Sequence, residues 1–257
     1  MKRGKKIDLI WMILFPIFAT IISFIFKTNF LISTLLFFGL PSIYLSIRNK
    51  HSIKKTLIFT TISSIPLGII IDYFGTKDGS WYVPESAFSF RLFGFIPIDD
   101  LIWGFLLVYF IVIFYEHFLD KKGKRTINKK FTYFGIVLII LTLMLMILHI
   151  LIPSINIPYF YLLMGILLFT IPIITFLYSN PKFIPRYVKI SVYFFSLFLI
   201  HELVGMQLSQ WTFPGENFIG WVKIFGHSFP FEEFIFFISL STIAILTYYE
   251  YFADDLK

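Results

Sequence analysis

Long apolar runs separated by short polar breaks dominate the chain. Eight of them, at about 8–26, 29–48, 56–74, 97–117, 131–152, 158–178, 187–206 and 230–252, approach the ~20 residues that an α-helix needs to cross a hydrocarbon layer of ~30 Å. The pattern predicts an all-α fold, a polytopic transmembrane helix bundle, with no stretch left for a separate soluble domain. The run that follows MKRGKK has the length of a membrane helix and lacks a small-residue cleavage site, so it predicts a first span and not a cleaved signal peptide. The two longest connections, about 75–96 and 207–229, hold aromatic residues, Gly and Pro in place of a solvated charge run. They are expected to pack at the membrane interface or fold back into the protein.

Composition agrees with the pattern. Of 257 residues, 58% are hydrophobic and 14% charged, and the mean hydropathy of +0.83 lies far outside the range of a water-soluble domain. Without cysteine there is no disulfide framework, thiolate nucleophile or cysteine metal site. The net charge of +7 suggests an acidic partner until its distribution is considered. With the eight spans in place, basic residues cluster at 2–6, 48–55, 121–130 and 182–189 and at Lys257, all on one side, whereas the other side has only Lys27, Lys77, Arg91 and Lys223. That asymmetry orients the protein with both termini in the cytoplasm and predicts an integral cell membrane protein. It also accounts for the basic clusters without nucleic acid.

The chain repeats itself. At an offset of 130 residues Asp72 meets Glu202, Gly75 meets Gly205, Trp81 meets Trp211 and Pro84 meets Pro214; three residues later in offset, Pro97, Asp99 and Asp100 meet Pro230, Glu232 and Glu233. One more shift brings Tyr115, Glu116, Phe118 and Asp120 onto Tyr249, Glu250, Phe252 and Asp254. The expected organisation is two four-helix repeats, 1–125 and 126–257, parallel because each has an even number of helices, with the functional site between them.

Charged groups inside a membrane cost several kcal/mol unless neutralised, paired or hydrated, so intramembrane carboxylates are functional candidates. Asp99 with Asp100, and Glu232 with Glu233, each occupy a first helical turn after a proline, Pro97 or Pro230, with a structural part in starting the helix. Acids in a first turn also complement the helix dipole at a water interface; the duplication weighs towards function. Neighbours on a helix diverge by about 100°, so one member of each pair can face the interior while the other points elsewhere. Asp72 and Glu202 are expected in the same layer, and six carboxyls in one partly desolvated layer cannot all be ionised. A protonated acid beside a carboxylate suits protonation of a carbon–carbon double bond followed by proton return, with no redox cofactor. The intervening cation calls for aromatic faces and exclusion of water, for which Trp81, Tyr82, Trp103, Trp211 and Phe213 are the substrate-binding candidates, although Trp and Tyr also belt membrane interfaces. The five histidines show no paired ligand spacing, so no metal site is expected. No further aspartate closely follows Asp99 and Asp100, which disfavours metal-diphosphate chemistry, and Glu116 and Glu250 read as boundary residues.

These features resemble the lycopene cyclase domain family, small membrane cyclases found as heterodimer pairs or fused tandem domains. The residues that carry the resemblance are Asp72, WYVPE at Trp81 to Glu85 and FGFIPIDD at Phe93 to Asp100, then Glu202, WTFP at Trp211 to Pro214 and PFEEFIFF at Pro230 to Phe237. The resemblance implies an isomerase (intramolecular lyase) of carotenoid biosynthesis of the lycopene beta-cyclase type, without a cofactor. It implies a lipophilic polyene substrate such as lycopene, membrane lipid around it, other carotenoid-pathway enzymes as partners, and no nucleic acid. Asp99, Asp100, Glu232 and Glu233 become the proton donors and acceptors, with Glu85 a further catalytic candidate. The first motif departs from the family in having Asp where Glu is usual, and Gly215 stands opposite Glu85 with Glu216 one place on. The alternatives are a carotenoid hydratase, which begins with the same protonation, a proton-coupled membrane transporter, and a structural subunit of a larger complex. Few polar groups interrupt the fifth and sixth spans (Thr142, His149, Thr170, Thr175), which favours a lipid-like substrate over a hydrated solute.

Overall fold

The computed structural model describes residues 3–120 and 127–253. Lys2, the basic residues of 121–125, Asp254 and Lys257 therefore lie outside the described residues. Among the described residues eight helices are long and apolar enough to span a membrane: α1 (Gly4–Phe26), α2 (Phe30–Arg48), α3 (Lys50–Asp78), α4 (Ile98–Phe118), α5 (Lys129–Leu151), α6 (Phe160–Ser179), α7 (Pro181–Gln207) and α8 (Glu233–Ala253). The all-α bundle expected from the hydropathy pattern is the fold observed. It differs mainly in α3 and α7, which run beyond the apolar windows at both ends.

The same local irregularities recur in the two halves. Within α2 the turn at Leu35–Gly39 is π-helical and precedes Pro41; within α6 the π-turn is Gly165–Thr170 and precedes Pro172. A proline has no N–H to give to the preceding turn, and widening that turn accommodates its ring. α2 then ends at Asn49 with φ −134° and ψ 61°, and α6 at Asn180 with φ −137° and ψ 59°. Asn29 and Asn128 cap α2 and α5 by accepting from Ile32 N at 3.0 Å and Phe131 N at 3.2 Å.

α4 and α8 are the most enclosed helices, with 56% of their apolar windows buried against 22% for α1 and 17% for α5. The first two form the centre of the bundle and pack against each other; the last two turn Ile, Leu, Met and Phe outward. Phe110, Ile111, Val112 and Ile113 of α4 are wholly buried together with Phe194 and Phe198 of α7. Around α4 such a run leaves no polar face, as expected of a helix surrounded by other helices.

The two long connections cover one end of the bundle, here termed the loop face. Each contains an antiparallel hairpin, β1 (Arg91–Leu92) with β2 (Ile96–Pro97) and β3 (Trp221–Ile224) with β4 (His227–Pro230). The turns hold Phe93 and Gly94 at φ 55° and 82°, and Phe225 and Gly226 at φ 47° and 86°, the left-handed pair that a tight hairpin requires. The connections also pair with each other: Tyr82 and Thr212 exchange backbone hydrogen bonds of 2.8 and 2.9 Å, and Gly215 N donates to Gly79 O at 2.9 Å. A Cβ on either Gly79 or Gly215 would press on the opposite backbone, so this crossing needs both glycines.

Candidate active site

Each hairpin ends on a proline that delivers the chain into a central helix. Pro97, at φ −73° and ψ 146°, is the N-cap of α4 and leaves Asp99 and Asp100 in its first turn. Pro230 ends β4 just ahead of Glu232 and Glu233 at the start of α8. The 100° turn between neighbours separates the two acids of each motif. Asp99 points back to the preceding loop, where its Oδ2 accepts from Ala87 N at 2.8 Å, and Glu232 does the same, its Oε1 accepting from Ile219 N at 2.7 Å. These first acids are 1% and 0% exposed. They tie the loop to the helix and do not reach the cavity.

The second acids, Asp100 and Glu233, border a cavity of about 210 Å³ between the two halves of the chain. Asp72 from α3 and Glu202 from α7 complete its acidic lining. Asp72 faces Asp100, and Glu202 faces Glu233. Two carboxyls brought together in an apolar setting disfavour charge on both at once. The rest of the lining is mostly apolar, with Leu67, Ile71, Leu107, Met164 and Phe237, and adds the polar side chains of Ser64, Tyr161, His201 and Ser241.

The indoles expected near the acids are there. Trp211 Nε1 donates to Glu202 Oε1 at 3.0 Å, and the Trp81 indole stands in the same relation to Asp72. Gly75 and Gly205 explain how a residue of that size fits: a Cβ on Gly75 would collide with the Trp81 ring, and one on Gly205 with the Trp211 ring. Trp103 and Phe213 also line the cavity, and the Trp103 ring lies 5.2 Å from Phe237. Tyr82 does not line it; its side chain is exposed and its backbone forms the bridge to Thr212. Glu85 and Glu216 are exposed on the loops, away from the cavity.

Residues 28–118 match the family model for lycopene cyclase. The matched segment runs through α2, α3, the first hairpin and α4, and contains Asp72, Trp81, Asp99 and Asp100. The match covers about a third of the chain and supports a lycopene cyclase domain in that segment, as the sequence motifs implied. No curated protein and no solved structure matches the chain. Eight helices long and apolar enough to cross a membrane point to a membrane protein.

Two cavity residues were not legible in the sequence. Tyr161 of α6 donates to Glu233 Oε2 at 2.5 Å and meets the Trp81 ring edge-on at 5.4 Å. The residue at the corresponding position of the first half is Leu31, so the lycopene cyclase pattern gave no partner to look for; a phenol within an apolar span was the available signal. His201, beside Glu202, has no metal-ligand spacing to single it out in the sequence; its one signal is a histidine next to an acid within an apolar span. Thr142 and His149, by contrast, are satisfied away from the cavity, the first by Leu138 O at 2.9 Å and the second by Tyr73 Oη at 2.9 Å.

Proposed function

We propose that the protein closes the end rings of lycopene or a related linear carotenoid by protonation and deprotonation, with no net redox change. The observation that carries this reading is a largely apolar cavity on which Asp72, Asp100, Glu202 and Glu233 converge from both halves of the chain. A hydrocarbon polyene offers no group for hydrogen bonding, and a lining that is apolar apart from these acids and a few hydroxyl, indole and imidazole groups suits that substrate.

In this reading a carboxyl proton adds to the terminal double bond and leaves a tertiary cation. The next double bond supplies its electron pair to that carbon and closes a six-membered ring. A proton then leaves the neighbouring carbon for a carboxylate, so that one proton enters and one departs. Asp100 is the donor: among the described residues nothing donates a hydrogen bond to its carboxyl, and Asp72 faces it. Glu233 is the acceptor, since the Tyr161 hydroxyl aimed at its carboxylate strengthens as charge builds there. Trp81, Trp103 and Trp211 present π faces to the cation, and the crossed loops above exclude water that would otherwise capture it. Asp99 and Glu232 act as positioning residues through the loop N–H groups they hold.

The same reading takes the chain as two parallel repeats, 1–125 and 126–257, with both termini in the cytoplasm and the loop face on the other side. It is supported by the paired geometry at Asp99 and Glu232 and by the side on which Lys27, Lys77, Arg91 and Lys223 fall. Expression in a host that accumulates lycopene tests the activity. The pigment is expected to shift from red towards orange or yellow, and Asp100→Asn and Glu233→Gln to remove the shift. Full ring formation by both variants would remove the proposed chemistry.

A further inference from the structure

His201 of α7 borders the cavity one residue before Glu202. It is 1% exposed, and among the described residues neither Nδ1 nor Nε2 has a hydrogen-bond partner. Its ring lies on the Trp211 indole at 5.0 Å and 28° and meets the rings of Phe37 and Phe38 edge-on at 5.1 and 4.9 Å. Unpaired nitrogen is not a habit of histidine in this chain: Nε2 of the buried His117 lies 2.9 Å from Asp8, and Nδ1 of the half-buried His149 lies 2.9 Å from Tyr73 Oη. The corresponding residue of the first half, Ile71, lines the same cavity. The two acid pairs thus share one space with a hydrocarbon side chain at one pole and an imidazole at the other.

An imidazole offers at least one N–H donor, and when neutral one lone pair as well. Leaving such a group buried and unpaired carries the cost of its lost hydration. A purely hydrocarbon end cannot recover that cost, whereas an O–H group, donor and acceptor at once, can. The aromatic neighbours fix the ring in place, so that a group in the cavity meets a preset partner.

We propose that His201 is the point in this cavity that binds an O–H group, borne by the end of a polyene or by a water molecule admitted beside it. The inference rests on the cavity receiving polyene ends, as proposed above, and does not require that a ring be closed. In the water form, the water oxygen bonds to the carbon made cationic by protonation, and its surplus proton passes to a free nitrogen of His201 and from there back to the carboxylate that gave the first proton. The net change is H2O added across one double bond.

The full chain in lipid nanodiscs is titrated with two polyenes of equal length, one a hydrocarbon and one with a terminal hydroxyl, followed by quenching of tryptophan emission. The wild type is compared with His201→Phe, which keeps a ring on Trp211, and His201→Ile, which copies the first half. If the polyene carries the O–H group, the wild type binds the hydroxylated ligand about tenfold more tightly and both variants bind the two ligands alike. If water carries it, the wild type binds the two alike and in heavy-oxygen water converts the hydrocarbon into a labelled alcohol, which both variants fail to form. A wild type with neither the preference nor the label, or variants that retain either, overturns the proposal. Unchanged affinity for the hydrocarbon confirms that each variant is folded. A protein that discriminates the hydroxyl through His201 yet closes no ring leaves this inference standing and removes the cyclase reading alone.

Discussion

Tyr115 donates its phenol proton to Glu250 across the contact of α4 and α8, and Tyr249 returns the same bond to Glu116. Tyr115 precedes Glu116 and Tyr249 precedes Glu250, so the exchange has the reciprocity of a two-fold contact between identical subunits, made here within one chain. A cation from the next helix attends each pair: Lys55 Nζ lies 3.3 Å from Glu116, and Arg186 stands beside Tyr115 and Glu250. Asp100 and Glu116 are separated by 16 positions on α4, about 24 Å along a helix. The clasp therefore holds the central pair of helices at the end remote from the cavity.

Tyr115→Phe takes the donor from a buried carboxylate and is expected to lower stability by about 1–3 kcal/mol. Tyr249→Phe should do the same, and the double variant should lose close to the sum of the two. Unfolding in detergent as a function of denaturant measures all three, while ring formation in membranes should persist in the single variants.

Gly75→Ala and Gly205→Ala place a methyl against Trp81 and Trp211. Such overpacking typically costs about 1–3 kcal/mol, and relief requires the indole to move off its acid. The expected outcome is protein that still accumulates in membranes with ring formation strongly reduced. Immunoblots alongside pigment analysis separate these two effects.

The two acids of the first motif should respond differently. Asp100→Asn removes the proposed proton donor and should lower the cyclisation rate about 10²–10⁴-fold. Asp99→Asn keeps an oxygen able to accept from Ala87 N and should lose far less. Equal losses, measured by carotenoid chromatography at matched protein levels, would show that the loop-facing acid also takes part in proton transfer.

Tyr161→Phe deprives Glu233 of the hydroxyl that donates at 2.5 Å. A hydrogen bond to a charged group contributes about 1.5–3 kcal/mol, so the rate is expected to fall by roughly ten- to a hundredfold. Leu31→Tyr, at the corresponding place in the first half, should not compensate. Initial rates of ring formation in isolated membranes provide the comparison.

The number of helices, their approximate limits and the recurrence of Asp72 with Glu202 could be read directly, because apolar runs of membrane length and carboxylates within them are statements about solvent made residue by residue. The Gly75 and Trp81 spacing was visible too, although its meaning was not: that an indole occupies the place of the missing Cβ depends on how the loop folds back over α3. The expectation that the long connections fold back was general; their pairing through Tyr82 and Thr212, and the crossing of Gly79 with Gly215, had no periodicity to announce them.

By itself the sequence determined a bundle of eight membrane helices with acids held at helix starts by Pro97 and Pro230, since local chemistry and chain solvent suffice for that. Tertiary structure alone decided which acid of each motif faces the cavity, that Glu85 and Tyr82 lie outside it, and that Tyr161 and His201 lie within it. Those outcomes depend on the rotation of each helix about its axis and on which helices meet. Such rotation is set by packing among residues far apart in the chain, as at Trp211, Phe37 and His201, and an apolar stripe that covers α4 on every side carries no record of it.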